Sequence, residues 1–223
     1  MQLMIHACPE RRWYVDEFLV PEMRRQGIEP EVWLDAKRKG NLSACMEAFA
    51  ACDGDGGTWH LQDDVLPARD FAERVKDLAD GDAVLCGFVN ELGGPDCNLR
   101  GWVYMPDMWY SFPCTYIPNA IARECAEWWF SGAWRSEVQA LAISAAEDGR
   151  GDDFLFREFM EIHHGGEMAL NLTPCLVEHV DWLIGGSTVS PFRGYYARAV
   201  YWEDEELVKN LEQRIKARNA LRS

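Results

Sequence analysis

The chain has 223 residues, 48% hydrophobic and 12% aromatic, with 22 Lys and Arg against 37 Asp and Glu and a formal charge of −15. A chain of this length buries roughly 70% of its unfolded surface, so it needs no disulfide or metal staple, and the composition excludes disorder. The acidity argues against a protein that coats nucleic-acid phosphates through a generally basic face, but it leaves local contact with DNA open.

Eight Cys stand at positions 8, 45, 52, 86, 97, 114, 125 and 175, with no Cys-x-x-Cys pair. That removes the main signal for zinc-finger and thioredoxin-type readings. Cys scattered this way read as reduced, buried small hydrophobes rather than disulfides. The opening run from Leu3 to Ala7 is too short for a secretion signal, and no stretch approaches the roughly 20 apolar residues of a spanning helix. The expectation is a cytoplasmic protein (host cytoplasm if phage-encoded) without membrane insertion.

In chain order, Leu3 to Ala7 reads as a strand, broken by Cys8-Pro9. Trp13 to Gln26 has helical spacing, with Val15, Phe18 and Leu19 on one face, Gly27 as the stop, and a kink or early end at Pro21. Glu31 to Asp35 is a second strand and Leu42 to Ala51 a helix. The Gly/Asp loop at 53–57 leads into a third strand, Thr58 to Leu61. Phe71 to Ala79 reads as helix and Ala83 to Val89 as a fourth strand. Strands alternating with helices define an α/β sheet with parallel crossovers, whose ligands bind beyond the carboxyl ends of the strands.

The second half is less regular. Leu92 to Pro118 is rich in Gly, Pro and aromatics and reads as loops and short strands. Helices follow over Asn119 to Trp129 and Phe154 to His163, and Leu170 to His179 is extended. The chain closes on a helix with acids at Glu203 to Glu206 and bases at Lys209, Arg214, Lys216, Arg218 and Arg222, which complements its own dipole.

Gln62-Asp63-Asp64-Val65-Leu66-Pro67 is the most informative segment. An apolar strand runs into two adjacent carboxylates, then into a turn at Pro67. Such acids repel one another unless a cation or hydrogen-bond donors offset them. A hard divalent ion suits oxygen ligands and leaves positions open for phosphate oxygens. The plain alternative is a turn ahead of Pro67.

Strand, Gln62-Asp63-Asp64, Val65-Leu66-Pro67 and a helix from Phe71 together resemble the Asp-x-Asp region of GT-A-fold glycosyltransferases. The resemblance implies a Rossmann-like GT-A sandwich with a mixed, mostly parallel central sheet flanked by helices. It also implies a nucleotide-sugar donor, a UDP-sugar first, with Mn²⁺ or Mg²⁺. On that pattern Asp64 is the metal ligand, Asp63 and Gln62 contact the nucleotide sugar, and Gln62 departs from the usual acid. Pro9 and Arg11 fall in the loop after strand one, and Asp35 falls at the end of strand two, both nucleotide-binding places in the family. Arg11 and Arg12 also fit a solvated helix face.

Gly151-Asp152-Asp153 puts two more carboxylates at the mouth of a helix, where N-capping accounts for at least one. Under the resemblance this is the acceptor side, with Asp153, ahead of Asp152, as the base that takes the acceptor's proton. Leu172 to His179 resembles a late Pro-x-Leu-Val-x-His segment, which implies His179 as a further metal ligand. His163 and His164 read as a helix terminus, His6 and His60 as structural. Gly185 to Thr188, with Arg193 or Arg198, reads as a loop closing on the diphosphate.

The expected organisation is one GT-A-like domain over residues 1–223. It comprises a nucleotide-sugar half (1–90), an acceptor half (91–202) and a terminal helix (203–223). Small stand-alone chains of this kind resemble bacteriophage glycosyltransferases. A hydroxymethylated pyrimidine of phage DNA is then one acceptor, helped by the basic tail. A surface glycan or small molecule, or an inactive nucleotide-binding module, are the alternatives.

Overall fold

The computed structural model describes residues 1–76, 78, 83–88, 101–104, 112–138, 151–165, 170–185, 199 and 202–222. Strand β1 (Gln2–Ala7) leads through a 3-10 turn (Pro9–Arg11) into helix α1, which runs through Arg12–Tyr14, a π-helical turn (Val15–Leu19) and Val20–Arg25. Pro21 does not end the helix. It lies in the first turn after the wider π segment, so the ladder accommodates its missing N–H there. Gly27, at φ +81, closes α1: its N–H donates to Arg24 and that of Ile28 to Met23, the paired bonds of a Schellman stop.

β2 (Glu31–Leu34), α2 (Asn41–Ala50) and β3 (Gly57–Gln62) follow as read from the sequence. In the next segment the plain alternative holds, Asp63-Asp64 itself forming the turn, while the turn expected at Pro67 is instead the end of a short strand, β4 (Val65–Pro67). Pro67 sits at the end of a strand in a two-stranded sheet, a place that tolerates its missing donor. Then come α3 (Phe71–Lys76), β5 (Leu85–Cys86), β6 (Gly101–Tyr104), β7 (Cys114–Pro118), α4 (Asn119–Ser131), α5 (Trp134–Glu137) and α6 (Asp152–His163). β8 (Leu170–Thr173), β9 (Val177–His179), α7 (Asp181–Ile184) and α8 (Glu205–Ala220) complete the described elements.

Seven strands form one sheet in the order β2-β1-β3-β7-β5-β8-β6, and β4 pairs with β9 in a second. β2, β1, β3, β5 and β8 share one direction; β7 and β6 run against it. The sheet is thus mixed and mostly parallel, with helices on both faces, in a Rossmann-like α/β sandwich. This is the mixed, mostly parallel sheet expected, with the antiparallel β7 lying between β3 and β5.

Alternation along the strands builds two cores. Leu3, Ile5, Trp59 and Leu61 face one side, where they pack with α1, α3 and α8. The other side holds Leu42, Met46 and Phe49 of α2 with Ala122, Cys125, Trp134, Phe156 and Phe159. Trp59, Trp128 and Trp134 are therefore core, and the seven described Cys are free thiols. Among the described residues no helix is long and apolar enough to cross a membrane.

Candidate functional site

The chain leaves β1 toward β2 on one side and later places β3 on the other, so the strand order reverses at β1. In open α/β sheets a crevice forms outside the carboxyl ends of strands at such a point. Here it is a cleft of about 290 Å³. His6 to Arg11, Trp33, Asp35, Arg38, Asn41, Gln62, Asp63, Asp64 and His179 are among its walls. Pro9, Arg11, Asp35, Gln62, Asp63, Asp64 and His179, singled out from separate stretches of sequence, all meet there.

The 3-10 turn at Pro9 delivers Arg11 beneath the acidic pair. Arg11 is only 5% exposed, and its Nη1 donates to Asp63 Oδ1 at 2.9 Å and also to Asp64 Oδ2. Asp63 Oδ2 accepts the backbone N–H of Cys8 at 2.7 Å. Arg11 is thus no solvated helix residue; it is the internal cation the paired acids require. Burial, then the charge of Asp64, push Asp63 above the usual carboxylate range despite Arg11. Burial opposes the ionised form of Asp64 as well, but His179 and Arg11 outweigh it and hold that carboxyl well down.

His179 arrives from β9, which pairs with β4 so that Val65 lies opposite it. Its Nε2 is 3.2 Å from Asp64 Oδ2 and its Nδ1 3.4 Å from Asp181 Oδ1. Burial disfavours the imidazolium, yet Asp64 and then Asp181 raise its pKa above the ordinary value. Asp181 was missed in the sequence, where nothing marked a lone acid two residues past the His.

Asp64 and His179 are the two side chains here that would serve as ligands of a divalent ion. Asp64 Oδ1 is buried with no hydrogen-bond partner. Without an ion, Asp64 and His179 form an ion pair at 3.2 Å. A carboxylate with an imidazole suits Mn²⁺ better than Mg²⁺. Among the described residues no group of three or more His, Cys, Asp or Glu could hold an ion unaided. The remaining positions would fall to phosphate oxygens and water.

The three other candidate acids differ in their placement. Asp35 lines the cleft, but its carboxylate accepts the N–H groups of Lys39 and Gly40 at 2.9 and 3.1 Å and so shapes the loop before α2. Asp152 and Asp153 are not among the residues lining the cleft. Asp152 adjoins it through a side-chain hydrogen bond with Asn41, and the charge of Asp64 reaches it. Burial lifts Asp152 to about 6, while burial and then the charge of Asp152 lift Asp153 to about 7. Asp153 stands in the first turn of its helix, where its Oδ1 accepts the Phe154 N–H at 2.9 Å.

The basic tail is partly spent within the fold. Arg218 lies over the Trp13 ring and pairs with Glu17, Arg222 pairs with the same Glu17, and Arg214 lies over Phe18. His163 and His164 end α6 beside Glu137 and Glu124. The proposed diphosphate loop from Gly186 to Thr188, with Arg193 and Arg198, lies outside the described residues.

No protein-family model and no curated protein matches the chain. Among solved structures, one titled "Crystal Structure of A197 from STIV" aligns over 80% of this chain and 84% of that one, at 18% identity and a TM-score of 0.41.

Proposed function

We propose that the protein is a glycosyltransferase that moves a sugar from a nucleotide-diphosphate sugar, a UDP-sugar first, to an acceptor hydroxyl. One observation carries this reading. The residues assigned to donor and metal from three strand ends and from β9 converge on a single cleft at the reversal of strand order. That is where a fold of this class takes a nucleotide.

Asp64 and His179 would hold Mn²⁺ or Mg²⁺, which supplies positive charge to the leaving diphosphate. Arg11, paired with Asp63 and Asp64, offsets the carboxylate charge on the same wall. Gln62 and Trp33 offer the nucleoside an amide and an aromatic face. In the transfer the acceptor oxygen bonds to the anomeric carbon as that carbon's bond to the phosphate oxygen breaks. The nucleoside diphosphate leaves and the acceptor's proton passes to a carboxylate. Asp153 is the proposed base for an acceptor that reaches the cleft from beside α6, since Asp153 itself is outside the cleft walls, and its pKa of about 7 suits a general base.

The acceptor favoured is a hydroxymethylated pyrimidine of phage DNA, with a surface glycan or small hydroxyl compound as the alternative. The test is release of UDP from a panel of UDP-sugars incubated with each acceptor class. Release that depends on one acceptor supports the reading and names the acceptor. Tight UDP binding without release from any donor would instead make the protein an inactive nucleotide-binding module.

A further inference from the structure

His6 and His60 both point away from the Leu3/Ile5/Trp59 core, because residues two apart in a strand share a face. Their rings meet, His6 Nε2 to His60 Nδ1 at 2.8 Å. Beyond them, His60 Nε2 lies 3.9 Å from Cys52 Sγ, and the Cys52 thiol donates to the Ala48 carbonyl at 3.5 Å. Burial holds His6 at a pKa of about 4 and His60 well below its ordinary value, so both rings are neutral at pH 7.

A neutral imidazole has one donor and one acceptor nitrogen, so the row has a direction. With the thiol proton of Cys52 on the Ala48 carbonyl, the sulfur is the acceptor for His60 Nε2–H. His60 Nδ1 is then an acceptor and takes the proton of His6 Nε2–H. That makes His6 Nδ1 an acceptor too. His6 lines the cleft, and its Nδ1 has no protein partner among the described residues.

We propose that His6 Nδ1 reads an N–H donor on the edge of the pyrimidine base of the donor nucleotide, with His60 and Cys52 as positioning residues that fix its tautomer. The proposal rests on the nucleotide-sugar reading above. The base is taken as a pyrimidine because the reading above takes a UDP-sugar as donor.

The experiment compares UDP with N3-methyl-UDP by calorimetry, on the wild type and on His6→Ala, in Mn²⁺. One lost hydrogen bond of this kind weakens binding by about tenfold. The wild type is expected to bind the methylated nucleotide about tenfold more weakly than UDP, and His6→Ala to bind both alike at the weaker level. Equal binding of the two by the wild type, or a methyl effect unchanged in His6→Ala, overturns the proposal while the nucleotide reading stands. Absence of binding by any nucleotide overturns both. Imidazole nitrogen NMR of the wild type checks the tautomer without a ligand. Protonation at Nε2 of His6 and His60 is expected, and protonation at His6 Nδ1 would contradict it.

Discussion

Asp64 and His179 stand 115 positions apart in sequence and 3.2 Å apart in space, carboxylate Oδ2 to imidazole Nε2. Two backbone features bring them together. Asp64 sits in the tight turn from β3 to β4, and β9 pairs along β4, with the Val180 N–H donating to the Asp64 carbonyl at 2.7 Å. The small second sheet therefore attaches a residue from late in the chain to the mouth of the cleft.

Replacing Asp64 with Ala should abolish metal-supported donor binding, since it removes the carboxylate and the uncommitted Oδ1 together. His179→Gln should weaken metal affinity by about 10- to 100-fold, the scale seen when a metal site loses one supporting interaction. Titration of Mn²⁺ and UDP into each variant measures this, and wild-type affinity in Asp64→Ala would remove Asp64 from the site.

Arg11→Leu takes the cation from between two buried carboxylates. A loss of about 3–5 kcal/mol in unfolding free energy at pH 7.5 is expected, the usual cost of stranding buried charge. The deficit should shrink as pH falls, because the carboxyls can then bind protons and lose their charge. Urea unfolding at pH 7.5 and pH 4.5 reads both halves of that statement.

His179 gives a stability term of opposite pH dependence. Its pKa is raised by folding, so its contribution is complete below about pH 6.5, the unfolded value, and is lost as pH rises through the folded one. His179→Gln should therefore lower Tm most at pH 6, with the difference fading toward pH 9. A difference that grows with pH would mean that the ring is held neutral.

Asp153→Asn should bind donor normally and transfer about 10²–10⁴ times more slowly, the range for loss of a general base. Wild-type transfer should rise with pH through about 7 as the carboxyl ionises. A raised carboxyl pKa costs stability above it, so Asp153→Asn should also raise Tm at pH 8 by about 2–4 °C and change little near pH 4. Full transfer activity in the variant would leave Asp153 as a first-turn helix acid only.

The first half of the chain was legible because its strands and helices follow the apolar periodicity closely, and Gly27 marks the end of α1 without ambiguity. Arg11, Asp63 and Asp64 were visible as residue types, but their mutual contact was not, since it depends on how β1 and β3 lie side by side. Val65-Leu66-Pro67 was misread as the approach to a turn, because a three-residue strand has no periodicity and its partner β9 is more than 100 residues away. The antiparallel β7 was hidden for a related reason: strand direction is set by pairing, and Cys114–Pro118 carries no local mark of it. The His6–His60–Cys52 row was seen only as two histidines inside strands.

The most direct test of the donor site is calorimetric titration of UDP into the protein with Mn²⁺ and again after chelation. Saturable binding of one UDP per chain, weakened at least about tenfold by removing the ion, is the predicted result. No heat of binding with UDP, GDP or any other nucleoside diphosphate in Mn²⁺ would contradict it, and Asp63, Asp64, Arg11 and His179 would then be a buried ion-pair cluster that only holds the sheets together.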